Sequence, residues 1–207
     1  MSDAVQVKKL AIGFTTKEGV AIGIKNIVPI LVNVLLWVLT VWIPYINIGT
    51  SIGLSVGIVA MASRGEAISM TEIFNPKYRK YMGDYFLVSG LIGIGVSIGI
   101  FLIIIPGIIV GIAWSLAVIL VIDREKNPIE SITLSNNLTY GYKWRIFAIY
   151  VIPCVVFTVV QTILMVIGYS AGISGFTGFL VFLTVLFEIL VFIGLQASIY
   201  SQLAEGV

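Results

Sequence analysis

The chain has few of the side chains on which most enzymes and metalloproteins depend. Its 207 residues include no histidine and a single cysteine, Cys154. Without histidine, the usual axial ligand of haem and the commonest ligand of zinc are both missing. One cysteine cannot form an intramolecular disulfide, and we expect it to pack as a small hydrophobe. The net charge of +2 is too small to indicate nucleic acid. We therefore expect no cofactor, no metal site and no nucleic-acid partner.

Charge is also scarce, and apolar residues take its place in long blocks. Charged residues make up 11% of the chain and hydrophobic residues 59%, and the mean hydropathy is +1.10. Runs of about 18 or more apolar residues are typical of membrane spans. The runs lack the alternation that a barrel strand needs. The sequence predicts one all-α integral membrane domain, residues 1–207, with six spans. Their predicted bounds are 25–43, 46–62, 85–105, 107–122, 146–169 and 177–200.

The basic residues predict the orientation of these spans. All 12 Lys and Arg residues precede the first span or lie between spans two and three or spans four and five. By the positive-inside rule these segments are cytoplasmic, so both termini face inward in a prokaryotic cytoplasmic (inner) membrane. The uncharged connections near 44–47, 105–107 and 170–176 are short and contain Pro or Gly, which is typical of tight turns.

The order of spans and turns suggests three successive helical hairpins. The proposed units are 1–65, 66–126 and 127–207, each with a cytoplasmic segment, a basic cluster, a span, a tight turn and a second span. Hydropathy and charge carry this match rather than residue identity. The alternative is that any six-helix protein with short outer loops has the same appearance.

Two cytoplasmic segments are predicted to form short helices at the membrane surface. Ser69 and Glu72 have the spacing of a capping box, and Pro76 limits the helix that follows. Asn127 is expected to cap the second helix, with Pro128 at its first position. The apolar residues recurring in that second segment are Ile129, Ile132 and Leu138. The alternative is a pair of capped loops that pack against the bundle.

Aromatic side chains flank the basic clusters of these segments, as is usual at the headgroup level. Contact with anionic lipid headgroups is one explanation of the clusters, and orientation of the chain alone is the other. The candidate headgroup-binding residues are Lys77, Arg79, Lys80, Lys143 and Arg145. Asp123, Glu125 and Glu130 interleave with basic residues, which favours a solvated ion-pair patch over a metal site.

Glu188 is the one acidic residue well inside a predicted span. A carboxylate there is costly to ionise, so it raises a functional hypothesis: proton or cation binding in a transport path. The alternative is a protonated carboxyl hydrogen-bonded to Gln161 or to a hydroxyl. Asn33 and Gln196 are the other strongly polar side chains within spans. They are as suited to joining helices as to lining a path.

Glycines recur at intervals of four residues and predict close helix packing. Gly49, Gly53 and Gly57 fall on one stripe of the second span, a glycine-zipper pattern that gives another helix a flat groove. The same spacing recurs at Gly19/Gly23, Gly95/Gly99, Gly107/Gly111 and Gly168/Gly172. The sequence leaves open whether the helix in the groove belongs to this chain.

The stretch 106–147 resembles a broad group of six-helix prokaryotic membrane proteins of mostly unknown function. That group includes the membrane domain attached to some glycerophosphodiester phosphodiesterases. The residues that carry the resemblance are Pro106, Trp114, Asp123 or Glu125, Ser135, Gly141, Trp144 and Arg145. The resemblance implies a six-helix membrane module that often accompanies other proteins. It transfers no catalytic residue, because that membrane domain is not the catalytic part.

These observations favour a non-enzymatic structural or accessory membrane protein, in contact with lipids and assembled as a homo-oligomer or with a partner membrane protein. A small transporter or channel that uses Glu188 is the alternative. A membrane enzyme ranks third, and a deep cleft holding Asp123 and Glu125 would favour it.

Overall fold

The structure is a computed structural model that describes residues 10–206, and these residues form helices and turns without a strand. A π-helical turn, Gly53–Gly57, joins the helices Pro44–Ile52 and Ile58–Ser63, and a 3-10 turn, Glu72–Phe74, precedes the helix Lys77–Lys80. The α-helices are α1 Ile12–Lys25, α2 Ile27–Thr40, α3 Pro44–Ile52, α4 Ile58–Ser63, α5 Lys77–Lys80, α6 Met82–Leu102, α7 Ile104–Ala113, α8 Ala117–Asp123, α9 Pro128–Thr139, α10 Lys143–Ser170 and α11 Ser174–Leu203.

Five helical stretches in residues 10–206 are long and apolar enough to cross a membrane. They are Pro44–Ser63, Met82–Leu102, Ile104–Asp123, Lys143–Ser170 and Ser174–Leu203. A sixth span is present if α1 and α2, which meet at an angle of 73°, count as one broken helix. The predicted class, an all-helical membrane protein, is confirmed. The membrane, the sides of the termini and the hairpin repeat stay predictions.

The first predicted span, residues 25–43, overlaps α2, and a separate helix precedes it. A helix, α1, occupies residues that were assigned to a cytoplasmic segment, and it packs along α11. The two backbones touch at glycines: a Cβ on Gly23 would lie 2.4 Å from the Leu190 carbonyl oxygen, and one on Gly194 would lie 2.0 Å from that of Gly19. The sequence did not predict α1 as part of a span, because its charged residues interrupt the apolar run.

The turn between α6 and α7 also differs from the prediction. It falls at Ile103, whose backbone is extended, while Pro106 and Gly107 lie in the first turns of α7. Proline is tolerated there because the first amides of a helix have no partner within it. Gly107 has a packing role instead: a Cβ on Gly99 would lie 2.6 Å from its Cα.

The centre of the core is α8, whose residues Ala117 to Val121 include three that are completely buried. The turn Trp114–Leu116 separates α8 from α7, and α9 supplies hydrogen bonds to the backbone groups at this break. The Ser135 hydroxyl donates to the Ala113 carbonyl at 2.8 Å and accepts the Leu116 amide at 3.2 Å. Hydroxyl groups commonly satisfy backbone freed by a broken membrane helix.

The second predicted cytoplasmic helix, α9, is present, but its buried face is not the apolar one. Asn127 caps it as predicted, its Oδ1 accepting the Glu130 amide at 2.8 Å. Ser131 and Ser135 are fully buried, whereas Ile129 is 63% exposed. The hydroxyl face turns inward because the break before α8 needs hydrogen bonds.

The capping box predicted at Ser69 and Glu72 was wrong. Only a 3-10 turn forms there, and Glu72 is buried, accepting hydrogen bonds from the Tyr78 hydroxyl at 2.7 Å and from Asn75. The Ser69 carbonyl accepts the Asn33 amide of α2 at 2.8 Å. Tertiary partners therefore replace the local ones that the spacing suggested.

Candidate functional site

A polar cluster joins the ends of α4, α8 and α11. Asp123 accepts hydrogen bonds from Arg64 and, at 2.7 Å, from the Tyr200 hydroxyl. Arg124 reaches the same hydroxyl at 3.4 Å through Nε and the Ala204 carbonyl at 3.3 Å through Nη2. The Asp123 side chain is only 9% exposed, so its carboxylate is partly desolvated. The guanidinium groups of Arg64 and Arg124 compensate its charge.

A second cluster lies beside the first, between α1 and α11. Glu18 Oε2 accepts the Ser198 hydroxyl at 2.6 Å and the Gln202 amide at 2.8 Å. The Thr15 hydroxyl donates to Gln202 Oε1 at 3.2 Å. Thr15 and Ser198 are fully buried. This network holds the first helix of the chain to the last one.

A cleft of about 400 Å³ separates the two clusters. It is lined by Glu18, Ser63, Arg64, Arg124, Tyr200, Ser201, Gln202, Ala204, Glu205 and Gly206. Within residues 10–206, Glu18 Oε1 accepts no hydrogen bond and Glu18 has no cation within 4.0 Å. Arg124 Nη1 likewise makes no hydrogen bond to the described chain. The cleft thus offers one unused carboxylate oxygen and one unused guanidinium nitrogen.

A second cleft, of about 350 Å³, contains both Asp123 and Glu125. Asp123 is engaged by the arginines, and Glu125 accepts from the Tyr81 hydroxyl and lies 3.9 Å from Lys80 Nζ. Lys126 pairs with Glu130 at 2.9 Å. Asp123, Glu125 and Glu130 are therefore members of ion pairs, as the patch interpretation expected. No group of three His, Cys, Asp or Glu residues in the described chain is placed to hold a metal ion.

Ion pairs, hydrogen bonds and burial change the titration of Arg64, Glu66 and Tyr78, which lie outside the spans. Hydrogen bonding to Glu66, followed by the effects of Asp123, raises the pKa of Arg64. The same contact, 2.6 Å long, lowers the pKa of Glu66. Burial, and then the hydrogen bond to Glu72, raise the pKa of Tyr78. Arg64 and Tyr78 stay protonated at physiological pH, so the clefts keep their hydrogen-bond donors.

Glu188 and Gln161 lie together, halfway along the α10–α11 hairpin. Gln161 Nε2 donates to Glu188 Oε2 at 2.9 Å, and both side chains are half-buried. This is the contact that the structural interpretation of Glu188 expected. Glu188 Oε1 accepts no hydrogen bond within residues 10–206. The pair is remote from the polar clusters, so the structure provides two separate candidate sites.

The other two amides predicted within spans differ in their surroundings. Asn33 is fully buried; its Nδ2 donates to the Pro29 and Ser69 carbonyls, and its Oδ1 accepts the Ile73 amide at 3.1 Å. It therefore fixes the segment after α4 against α2. Gln196 is half-buried on α11, and its side chain makes no hydrogen bond to the part of the chain that the structure describes.

The glycine stripe of α3 and the π-turn is filled by this chain, though not by a membrane-spanning helix. A Cβ on Gly53 would lie 2.7 Å from the Ile73 Cα, and one on Gly57 would lie 1.9 Å from the Tyr78 hydroxyl. Gly49 faces the side chains of Met82 and Arg79 at its edge. The predicted groove exists, and the segment 73–82 occupies it.

The other glycine candidates mostly serve the α6–α7 hairpin. The Trp114 ring covers Gly95, where a Cβ would lie 2.2 Å from Cζ3. Gly99 and Gly107 meet each other across the hairpin, as described above. Gly111 is looser, since an added Cβ would make an ordinary 3.6 Å contact with Val96.

Four of the five candidate headgroup-binding residues have partners in the protein. Lys77 lies 3.2 Å from Glu72, Lys80 pairs with Glu125, and Lys143 donates to Asn136 at 3.0 Å. Arg145 donates to the Leu10 carbonyl at 3.0 Å. Arg79 is exposed. Lipid recognition by this set stays a prediction, with Arg79 its most available member.

The sequence analysis missed Glu18, Arg64, Ser198, Tyr200 and Gln202. One signal was present: Ser198 and Gln202 are polar and four residues apart at the end of the last helix, so they lie on one face. Their partner Glu18 is 180 and 184 positions away, respectively, which no local pattern reveals.

The fold and these sites define a helical membrane protein with a buried polar junction at one end of its bundle. No family model, curated protein or solved structure matches the chain. The resemblance of residues 106–147 to six-helix prokaryotic membrane proteins stays a prediction.

Proposed function

We propose that the chain is a non-enzymatic structural or accessory protein of the cytoplasmic membrane that assembles with a second copy or with another membrane protein. The observation that supports this is the uneven packing of its helices. In the apolar part of the span Pro44–Ser63, 56% of the residues are buried within the protein, against 11% in α6 and 6% in α10. The hairpins α6–α7 and α10–α11 therefore present most of their surface to lipid or to partners.

The exposed face of α6 suits close helix contact. Gly90 and Gly93 are exposed, and an added Cβ on either would have no neighbour within 4 Å. Helix association in lipid depends on backbone approach and van der Waals packing more than on the hydrophobic effect, so small residues favour it. Gly95 and Gly99, which pack against Trp114 and Gly107, hold the hairpin together, which leaves Gly90 and Gly93 for a neighbour.

The test is the size of the assembly and its response to a bulky residue on this face. We expect light scattering to give a species larger than a monomer in mild detergent and in native-lipid nanodiscs. Gly93→Leu should lower the assembled fraction without lowering the unfolding temperature. Ile98→Leu, also exposed on α6, is the matched control and should change neither. A wild-type protein that is monomeric in both media would contradict the proposal.

A small transporter or channel is the second candidate, because the Glu188–Gln161 pair retains an unused carboxyl oxygen. Reconstituted vesicles with a pH-sensitive dye inside would report proton flux. On this alternative, Glu188→Gln abolishes the flux and Glu205→Gln, an exposed change at the end of the chain, leaves it intact. A flux that Glu188→Gln does not change removes Glu188 from the mechanism.

A further inference from the structure

We infer that the 400 Å³ cleft between α1, α4 and α11 binds a zwitterionic group with a primary ammonium and a phosphate, of the phosphoethanolamine class. The inference does not depend on whether the chain assembles with a partner. It rests on the unused polar atoms of the cleft and on how the surrounding network holds them in place.

Glu18 supplies the ammonium half of the site. Its Oε2 is fixed by Ser198 and Gln202, and both of those residues are buried on the side of α11 that packs against α1. A half-buried carboxylate with two neutral donors and no cation within 4.0 Å in the described chain lacks the charge compensation that such groups usually have. A primary ammonium compensates the charge and donates a hydrogen bond to Oε1, whereas a quaternary ammonium cannot donate one.

Arg124 supplies the anionic half. Its Nε and Nη2 are held by Tyr200 and by the Ala204 carbonyl, so the guanidinium plane is fixed, while Nη1 makes no hydrogen bond within residues 10–206. A guanidinium held in this way is suited to phosphate oxygens. Asp123 shares its charge between two arginines, which leaves the Arg124 side of the cleft cationic.

Glu18 and Arg124 carry opposite charges and line the same cleft, together with Arg64 and Glu205, so the cleft favours a ligand that carries both charges. A simple anion would be repelled by Glu18, and a simple amine by Arg124. The same chemistry is present in a membrane lipid headgroup and in a soluble phosphate ester. The experiment therefore includes both sources.

The binding test uses the full chain in phosphatidylcholine nanodiscs and isothermal titration calorimetry with four solutes: phosphoethanolamine, ethanolamine, inorganic phosphate and phosphocholine. We expect phosphoethanolamine to bind at least about tenfold more tightly than the other three solutes. Each of those solutes lacks one charged hydrogen bond to the cleft, and a loss of that size corresponds to about a tenfold change in affinity. A parallel measurement compares unfolding temperatures in nanodiscs that contain phosphatidylethanolamine or phosphatidylglycerol. Stabilisation by phosphatidylethanolamine but not by phosphatidylglycerol identifies a lipid headgroup as the ligand. Binding of free phosphoethanolamine shows that the headgroup binds without its acyl chains.

Variants separate this site from general electrostatics. Glu18→Gln keeps an acceptor for Ser198 and Gln202 but removes the charge, and Arg124→Gln removes the guanidinium; each should weaken phosphoethanolamine about tenfold. Glu130→Gln and Lys126→Gln make the same charge changes outside the cleft and should leave binding unchanged. Equal binding of inorganic phosphate, equal stabilisation by phosphatidylglycerol, or absence of binding to either source would overturn the inference.

Discussion

At the residue scale, Gly57 shows how a single missing side chain determines local packing. The Tyr78 ring lies against the π-turn because Gly57 has no Cβ, and Tyr78 then reaches Glu72 with its hydroxyl. We expect Gly57→Ala to displace the ring and to lower the free energy of unfolding by about 1–3 kcal/mol, as overpacking of a filled core does. Thermal unfolding in detergent measures the change.

Gly93→Ala is the matched control for that prediction, because a Cβ at position 93 has no neighbour within 4 Å. Alanine favours a helix over glycine by about 1 kcal/mol, so this variant should be as stable as wild type or more so. Equal destabilisation by both substitutions would show that contact with Tyr78 does not explain the loss at position 57.

Tyr78 also predicts an alkaline limit to stability. Burial raises its pKa in the folded chain, whereas the unfolded chain retains a value of about 10. The contribution of Tyr78 is therefore fully present below pH 10, and it is lost as the pH rises above 10, because only the unfolded chain gains by ionising. Unfolding temperatures measured across this range should fall for wild type and fall less for Tyr78→Phe. Tyr140→Phe, at a position 76% exposed, should retain the wild-type slope.

At the element scale, the broken helix between α7 and α8 depends on one hydroxyl of α9. Ser135→Ala leaves the Leu116 amide without its partner and removes one of the two hydroxyls at the Ala113 carbonyl. An unsatisfied buried donor costs about 1–3 kcal/mol, and we expect a loss of that size in thermal or denaturant unfolding.

Ser131 provides the control on the same helix. It is fully buried, and its hydroxyl has no hydrogen-bond partner within the described residues. Ser131→Ala should therefore be neutral or stabilising, since it removes a polar group that the fold does not use. If Ser131→Ala and Ser135→Ala cost the same, loss of packing rather than repair of the broken helix explains both.

The elements also show where sequence reasoning reached its limit. The later spans were predictable because α6, α10 and α11 are long apolar runs, and the N-cap at Asn127 was predictable because its partners are adjacent in sequence. Helix α1 was not predictable, because Glu18 interrupts the apolar run and its hydrogen-bond donors, Ser198 and Gln202, lie far away in sequence on α11. The four-residue spacing of the glycines predicted the groove at Gly57. The segment that fills it, 73–82, could not be predicted, because it depends on where the chain folds back.

At the scale of the whole molecule, the bent pair α1–α2 determines the topology. Five spans place the two ends of the chain on opposite sides of the membrane, and six place them on the same side. The basic residues in alternate connections favour six, by the positive-inside rule. The uncertain span is the one at which the helix axis turns by 73°. The side on which Ala11 lies relative to Tyr45 therefore determines the number of spans.

Cysteine labelling tests this directly, because Cys154→Ser leaves the chain without a cysteine. Ala11→Cys and Tyr45→Cys, at two exposed positions flanking the α1–α2 pair, are treated with a membrane-impermeant maleimide in intact cells. We expect Tyr45→Cys to react at once and Ala11→Cys to react only after permeabilisation. Ser174→Cys and Lys126→Cys, on the predicted outer and inner sides, serve as references. If Ala11→Cys and Tyr45→Cys react alike, α1 and α2 do not form a span together, and the two ends of the chain lie on opposite sides.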